Sequence, residues 1–101
     1  MELERFERAA MVYGEDAIKK LRASSVAVFG LGGVGGTLAE ALARAGVGRL
    51  LLVDGDRVER SNINRQLVAL ESTLGQYKTD VMRARILDCL LYTSRKLVIR
   101  R

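Results

Sequence analysis

Apolar positions along this chain change their spacing several times, and each change marks an element. In residues 4–21, Phe6, Ala9, Ala10, Tyr13, Ala17 and Leu21 recur mostly at three- and four-residue intervals. That spacing predicts an amphipathic helix interrupted at Gly14. Ser24 and Ser25 lead into Val26-Ala27-Val28-Phe29, a short, partly β-branched run bounded by glycine, as expected of a buried strand. Gly30-Leu31-Gly32-Gly33-Val34-Gly35-Gly36 follows at once and opens into Thr37–Ala45. This segment is rich in the strong helix formers alanine and leucine, and Gly46 and Gly48 end it. Arg49–Val53 predicts a second buried strand, closed by Asp54-Gly55-Asp56. Residues 57–77 are polar and irregular, with a helical turn expected around Gln66–Leu70. Lys78–Asp88 returns to a helical pattern through Val81, Met82, Ala84, Ile86 and Leu87.

Strand, glycine turn, helix, strand and acid make one βαβ unit over residues 26–54, right-handed by the general rule. The expected fold class is therefore α/β. It is the N-terminal part of a Rossmann-like, doubly wound and mostly parallel sheet, preceded by an amphipathic helix and truncated. A complete mononucleotide-binding fold needs at least one more strand after residue 88.

Composition narrows the chemistry. With 101 residues, 49% apolar and 29% charged, the chain reads as soluble and globular. No apolar run approaches the ~18 residues of a membrane span. The opening MELERFERAA is acidic and amphipathic rather than a signal peptide, so a cytoplasmic address without membrane contact is expected. The absence of histidine excludes a Ser-His-Asp triad and a His-Glu-x-x-His zinc site. A single cysteine excludes an internal disulfide and a four-cysteine zinc cage, and no other metal-ligand set is legible. The formal charge of +5 favours an anionic partner. However, residues 89–101 hold four basic residues (Arg95, Lys96, Arg100, Arg101) and no acid, leaving residues 1–88 with 13 basic and 12 acidic groups, a net of +1.

Gly30-x-Gly32-x-x-Gly35 matches the dinucleotide fingerprint, with an apolar strand before it and a helix after it. Such glycines permit a tight turn, close backbone approach to phosphate and close helix–strand packing, while the helix start offers N–H groups to an anion. The plainer alternative is a turn that merely joins strand to helix. Asp54 lies 19 residues past Gly35, where an acid accepts hydrogen bonds from a ribose hydroxyl; otherwise it is a strand-terminating turn residue. Asp56 fits a solvated turn as well as a place near phosphates. Arg65 and Lys78, with Asn62, Asn64 and Gln66 interleaved, supply the fixed cations that cleavage of a triphosphate needs. Taken singly, each of them also fits a solvated loop.

The order of these residues resembles the ThiF/MoeB/HesA superfamily, the adenylating fold shared with ubiquitin-activating enzymes. Its pattern is GxGGxG, DxD, N-x-x-R-Q and a later lysine, here Gly30–Gly35, Asp54/Asp56, Asn62–Gln66 and Lys78. The resemblance covers roughly residues 4–88. Arg5-Phe6-Glu7-Arg8, YGEDAIKKL, SNINRQLVAL and VMRARILD make it most similar to the tRNA threonylcarbamoyladenosine dehydratase branch. It implies an enzyme that uses ATP to adenylate a carboxylate, that of the threonyl group on a modified tRNA adenosine, which then cyclises without an enzyme nucleophile. It also implies that Gly30, Gly32, Gly33 and Gly35 contact phosphates and that Asp54 holds the ribose, with Asp56 nearby. Asn62, Arg65, Gln66 and Lys78 would position the triphosphate, with Arg65 and Lys78 as the catalytic pair. Arg8 matches an arginine that family dimers lend across the subunit interface. A homodimer, a sulfur-relay protein partner and Mg2+ are implied as well. The aspartate that holds Mg2+ in the family is expected on a later segment, so residues 1–101 are expected to be inactive alone.

After Asp88 the family pattern stops. Codons for CLLYTS can spell a sequence that resembles a transposon-end sequencing adapter, so residues 89–101 are expected to be a non-native tail behind a native 1–88. The alternative is a divergent strand through Leu97-Val98-Ile99. Two other functions stay open: adenylation of the C-terminus of a ubiquitin-like sulfur-carrier protein, and an NAD-dependent oxidoreductase half-domain, which assigns nothing to Arg65 or Lys78.

Overall fold

The computed structural model describes residues 11–89 and 96–101. Helix α1 (Glu15–Ala23) starts directly after Gly14, whose φ of 88° breaks the helical path where the sequence predicts an interruption. Glu15 and Asp16 open α1 while Lys20 and Arg22 close it, so both ends carry the charge that the helix dipole favours. Strand β1 (Ser25–Phe29), helix α2 (Val34–Ala45) and strand β2 (Arg49–Val53) form the expected βαβ unit. Helix α2 ends on Gly46 at φ 103°, a left-handed position that costs glycine little, and the Val47 N–H returns to the Leu42 carbonyl.

Helix α3 (Lys78–Cys89) leads to a third strand, β3 (Lys96–Arg100). The three strands are parallel in the order β1-β2-β3, with Ser25 opposite Arg49 and Leu51 opposite Val98. The strand alternative for Leu97–Ile99 is thus the geometry that forms. Backbone pairing of this kind is open to any apolar β-branched segment and carries no information about its origin.

Two right-handed crossovers that advance the same way across a sheet lay both helices on one face. That face holds the core. Val28, Leu50 and Leu52 from the strands meet Ala39 and Ala43 of α2 and Met82 and Ile86 of α3, all nearly or fully buried. The small Ala39 and Ala43 let α2 lie close to the sheet. Val58, Val68 and Ala69, from the long connection after β2, close one side of this cluster. The opposite face is open: Ser25, Ala27 and Phe29 alternate outward on β1, and Phe29 is 75% exposed. Among the described residues no helix is long and apolar enough to cross a membrane.

Two sequence expectations need correction. Helix α2 begins at Val34 rather than Thr37, because Gly35 and Gly36 pack inside its first turn. Residues 66–70 form no helix but a single turn closed by the Ala69 N–H on the Gln66 carbonyl at 3.0 Å; the connection also carries two 3-10 turns, Arg60–Asn62 and Glu71–Thr73. Side-chain oxygens set these turns. Asn62 Oδ1 accepts the Glu59 N–H at 3.0 Å, and Thr73 Oγ1 accepts the Leu70 N–H at 2.9 Å while donating to the Val68 carbonyl. Such local bonds offer the backbone an alternative to a helix and place the turns on either side of 66–70.

Candidate nucleotide site

The glycine loop and Asp54 meet at the carboxyl ends of the strands, the usual position for a ligand on an open α/β sheet. The Gly30 N–H reaches the Val53 carbonyl at 2.8 Å, and the Asp54 N–H reaches the Arg100 carbonyl at 3.0 Å, so pairing continues past the strands. Asp54 then ties two turns together. Its Oδ2 accepts the Leu31 N–H and its Oδ1 accepts the Asp56 N–H, each at 2.7 Å. A carboxylate has about four acceptor positions, so two remain for hydroxyl donors. Leu31 itself is fully buried and pins the loop to the core.

The glycines act in different ways. Gly30 and Gly33 have φ values of 88° and 53° with open space where a side chain would start. At Gly35 a Cβ would lie 1.8 Å from the Gly30 carbonyl oxygen, so loop and helix touch backbone to backbone. At Gly32 the Cβ position is taken by the Gln66 carboxamide. The N-terminus of α2 has no capping side chain and no acid in its first turn; the Gly35 N–H turns back to the Gly32 carbonyl at 3.1 Å, and the first-turn N–H groups beside it suit an anionic acceptor.

Lys78 is the first residue of α3, and its N–H donates to the Asp56 carbonyl at 3.0 Å, which brings it beside the Asp54–Asp56 turn. It is only 6% exposed, yet its side chain has no hydrogen bond or ion pair among the described residues. The buried polar side-chain atoms without a partner among those residues are Gln66 Oε1 and Thr79 Oγ1, so the Lys78 ammonium still reaches solvent while its stem is packed. Arg65 is exposed and folded back, with Nη1 donating to the Ser61 carbonyl at 2.8 Å and Asn64 Oδ1 at 3.2 Å. Asn62 is buried and its oxygen is committed to the 3-10 turn. Asp56 is exposed, and its backbone links Asp54 to Lys78. Arg8 lies outside the described residues.

Tyr77 is a single aromatic in a polar stretch and has no periodic signal in the sequence. The Arg57 and Arg101 guanidinium carbons each lie 4.3 Å from its ring centroid, and Arg57 Nη1 donates to the Gly75 carbonyl. Stacked cations hold the end of the polar connection where Lys78 begins. Farther along the helices, Arg85 of α3 pairs with Glu40 of α2 and, with Arg44 at 3.5 Å, holds the Glu40 carboxyl below its ordinary range. Among the described residues no three Asp, Glu, His or Cys side chains gather as a metal cage. Asp54 and Asp56 alone do not make one, so these residues do not by themselves fit a resident Mg2+.

This arrangement matches known proteins. The ThiF family matches residues 6–96. The chain is 56% identical over 86 residues to the tRNA threonylcarbamoyladenosine dehydratase of Bacillus subtilis (strain 168), covering 85% of this chain and 34% of that protein. It is 46% identical over 76 residues to the adenylyltransferase and sulfurtransferase MOCS3 of Drosophila yakuba, covering 75% of this chain and 17% of that one. The crystal structure of E. coli tRNA N6-threonylcarbamoyladenosine dehydratase in complex with ATP is similar at a TM-score of 0.87 and 38% identity, covering 95% of this chain and 39% of that one. The chain spans about a third of the length of the curated dehydratases it matches. With the strand–glycine–helix unit, Asp54 and Lys78 all inside the matched region, this chain belongs to the ThiF family.

Proposed function

We propose that this chain is the nucleotide-binding part of an ATP-dependent carboxylate-adenylating enzyme, and that the enzyme is a tRNA threonylcarbamoyladenosine dehydratase. The observation that carries the reading is Lys78, a packed lysine without a partner among the described residues, beside the Asp54–Asp56 turn that meets the glycine loop through the Leu31 N–H. A dinucleotide pyrophosphate is neutralised largely by a helix N-terminus, whereas a triphosphate that loses pyrophosphate needs additional fixed cations.

In this reading the Gly30–Gly35 loop and the start of α2 face the phosphates, Gly30 and Gly35 shaping the turn while N–H groups with no acceptor among the described residues do the holding. Asp54 uses its free acceptor positions on the ribose, and Asp56 keeps the turn that joins Asp54 to Lys78. Asn62 and Gln66 shape the wall on which Arg65 rides. ATP supplies the adenylyl group: a carboxylate oxygen bonds to the α-phosphorus, the bond to the bridging oxygen breaks, and pyrophosphate leaves with its electron pair. Arg65 swings from its carbonyl partners and, with Lys78, stabilises that departing charge. The carboxylate is that of the threonylcarbamoyl group, whose cyclisation needs no enzyme nucleophile.

Residues 1–88 are proposed as the N-terminal part of the adenylation domain and residues 89–101 as an appended, non-native tail. A cytoplasmic homodimer with Arg8 lent across its interface, Mg2+ held by a residue beyond this chain, and a sulfur-relay partner complete the proposal. The similarity to an adenylyltransferase and sulfurtransferase favours one second reading, activation of a sulfur-carrier protein's C-terminus. Pyrophosphate release by the whole enzyme separates the two. Release from ATP that depends on tRNA carrying threonylcarbamoyladenosine is expected. Release that depends only on a carrier protein would replace the first reading with the second, and binding of NAD in preference to ATP would remove both.

A further inference from the structure

In a dinucleotide fingerprint the second glycine keeps the loop bare so that the backbone can approach phosphate. Here another group fills the space. A Cβ on Gly32 would lie 2.8 Å from Gln66 Nε2, 2.9 Å from its Cδ and 3.0 Å from its Oε1. Three amide atoms at nearly equal distance mean that the carboxamide lies flat against the loop. Gly32 is also not among the glycines with positive φ, so its backbone conformation is open to alanine. What a side chain at Gly32 would have to push aside is the end of the Gln66 side chain, not backbone.

Gln66 is the last residue of the Asn62–Gln66 run that carries Arg65. Its N–H and that of Arg65 both return to the Asn62 carbonyl, at 3.0 and 3.2 Å, and its own carbonyl accepts the Ala69 N–H. Arg65 thus sits between a closed backbone turn and a side chain that rests on the glycine loop. Among the described residues its side chain is held only by exposed contacts to Ser61 and Asn64, while its neighbour Gln66 rests the same turn on the glycine loop. The Gln66 Oε1 is buried with no partner among the described residues, a cost in stability that a purely structural apolar contact would not carry.

We propose that Gln66 is a positioning residue whose carboxamide, laid on Gly32, clamps the Arg65 segment to the glycine loop and fixes the reach of Arg65 toward a bound triphosphate. The inference rests on the nucleotide reading above. It reassigns Gln66 from a phosphate contact to the joint between the two sides of the cleft.

The test is a titration of the 101-residue chain with ATP and with AMP, for wild type, Gln66→Ala, Gln66→Met, Gly32→Ala and Gly32→Ala/Gln66→Ala, with thermal denaturation of each variant. AMP lacks the phosphates that Arg65 is to reach, so the ratio of the two affinities reads positioning and not general integrity. Gln66→Ala is expected to weaken ATP about tenfold and leave AMP unchanged. Gln66→Met, which keeps the length but not the amide, is expected to fall between wild type and Gln66→Ala, and a wild-type ratio would mean that bulk and not the carboxamide makes the clamp. Gly32→Ala, which displaces only the end of the Gln66 side chain, is expected to lower the melting temperature slightly in the wild-type background and not at all beside Gln66→Ala. Equal loss of ATP and AMP in Gln66→Ala would reduce Gln66 to a structural residue. Equal damage from Gly32→Ala in both backgrounds would remove the contact itself. Wild-type chain that binds neither nucleotide would overturn the nucleotide reading and the positioning role with it, while the denaturation cycle would still report whether the contact exists.

Discussion

The two sides of the cleft are built in opposite ways. On the glycine side the polar groups already serve the protein: Asp54 accepts two backbone N–H groups at 2.7 Å, and Gly35 touches the Gly30 carbonyl so closely that no Cβ fits. On the side of residues 62–78 Asn62 and Thr73 serve the turns, but the groups that carry the charge do not. Among the described residues Lys78 is packed without a partner, Gln66 Oε1 is buried and unpaired, and Arg65 is turned back onto exposed oxygens. Shape is therefore fixed by the first side before any ligand arrives, and charge is kept in reserve on the second. A preset cradle with uncommitted cations suits a reaction in which negative charge grows on a leaving group.

That contrast can be broken at either side. The largest effect is expected at Gly35→Ala, where the new Cβ would fall 1.8 Å from the Gly30 oxygen. Overpacking of this kind costs roughly 1–3 kcal/mol or more, so thermal denaturation should show a fall of roughly 10 °C or a lost transition. A normal melting curve would show that loop and helix are not in backbone contact. Lys78→Met should act the other way. It should weaken ATP by roughly ten- to a hundredfold, about 1.4–2.8 kcal/mol, while leaving the melting temperature unchanged or raised, because the methionine keeps the packed stem and drops a charge with no partner. A clear fall in melting temperature would mean that Lys78 has a structural partner after all.

Smaller changes sharpen the comparison. Thr79 follows Lys78 directly and is fully buried with its hydroxyl unpaired among the described residues. Thr79→Val should be neutral or stabilise by up to about 1 kcal/mol in denaturant unfolding, with ATP affinity unaffected. Loss of ATP affinity would place the hydroxyl in the site. The smallest effect belongs to Glu40, away from the cleft. Its carboxyl is held below the ordinary value of 4.5, first by the Arg85 hydrogen bond, so the pair stabilises the fold above pH 4.5 and that contribution is lost as pH falls through the lowered value. Glu40→Gln should therefore lower stability at neutral pH by less than about 1 kcal/mol, and the gap to wild type should close in acid. A gap that persists below the lowered value would point to packing and not charge.

Much of the glycine side is legible in the sequence, and the other side is not, for a physical reason. Val26–Phe29 and Arg49–Val53 announce themselves as apolar runs, and the bounds of β2 coincide with the expectation because Gly48 and Asp54 flank it. The start of α2 is blurred because glycine weakens helix propensity, and only close packing at Gly35 and Gly36 shows why helix forms there. In residues 57–77 local propensity misleads. Oxygens of Asn62 and Thr73 choose where the turns fall, and the antiparallel Arg57–Tyr77 bridge closes the connection from outside any local window. The burial of Lys78 and the contact of Gln66 with Gly32 depend on residues far apart in the chain, and neither has a periodic signal. The motif names the residues there without showing which contact the ligand and which hold the cleft in place.

The central claim is that a preset cradle and an uncommitted Lys78 form a site for a triphosphate. Calorimetric titration of the 101-residue chain and its Lys78→Met variant with ATP, AMP and NAD tests it most directly. The account predicts that wild type prefers ATP to NAD, and that Lys78→Met loses affinity for ATP while AMP is held as before. Preference for NAD, or ATP affinity that Lys78→Met leaves unchanged, would contradict it.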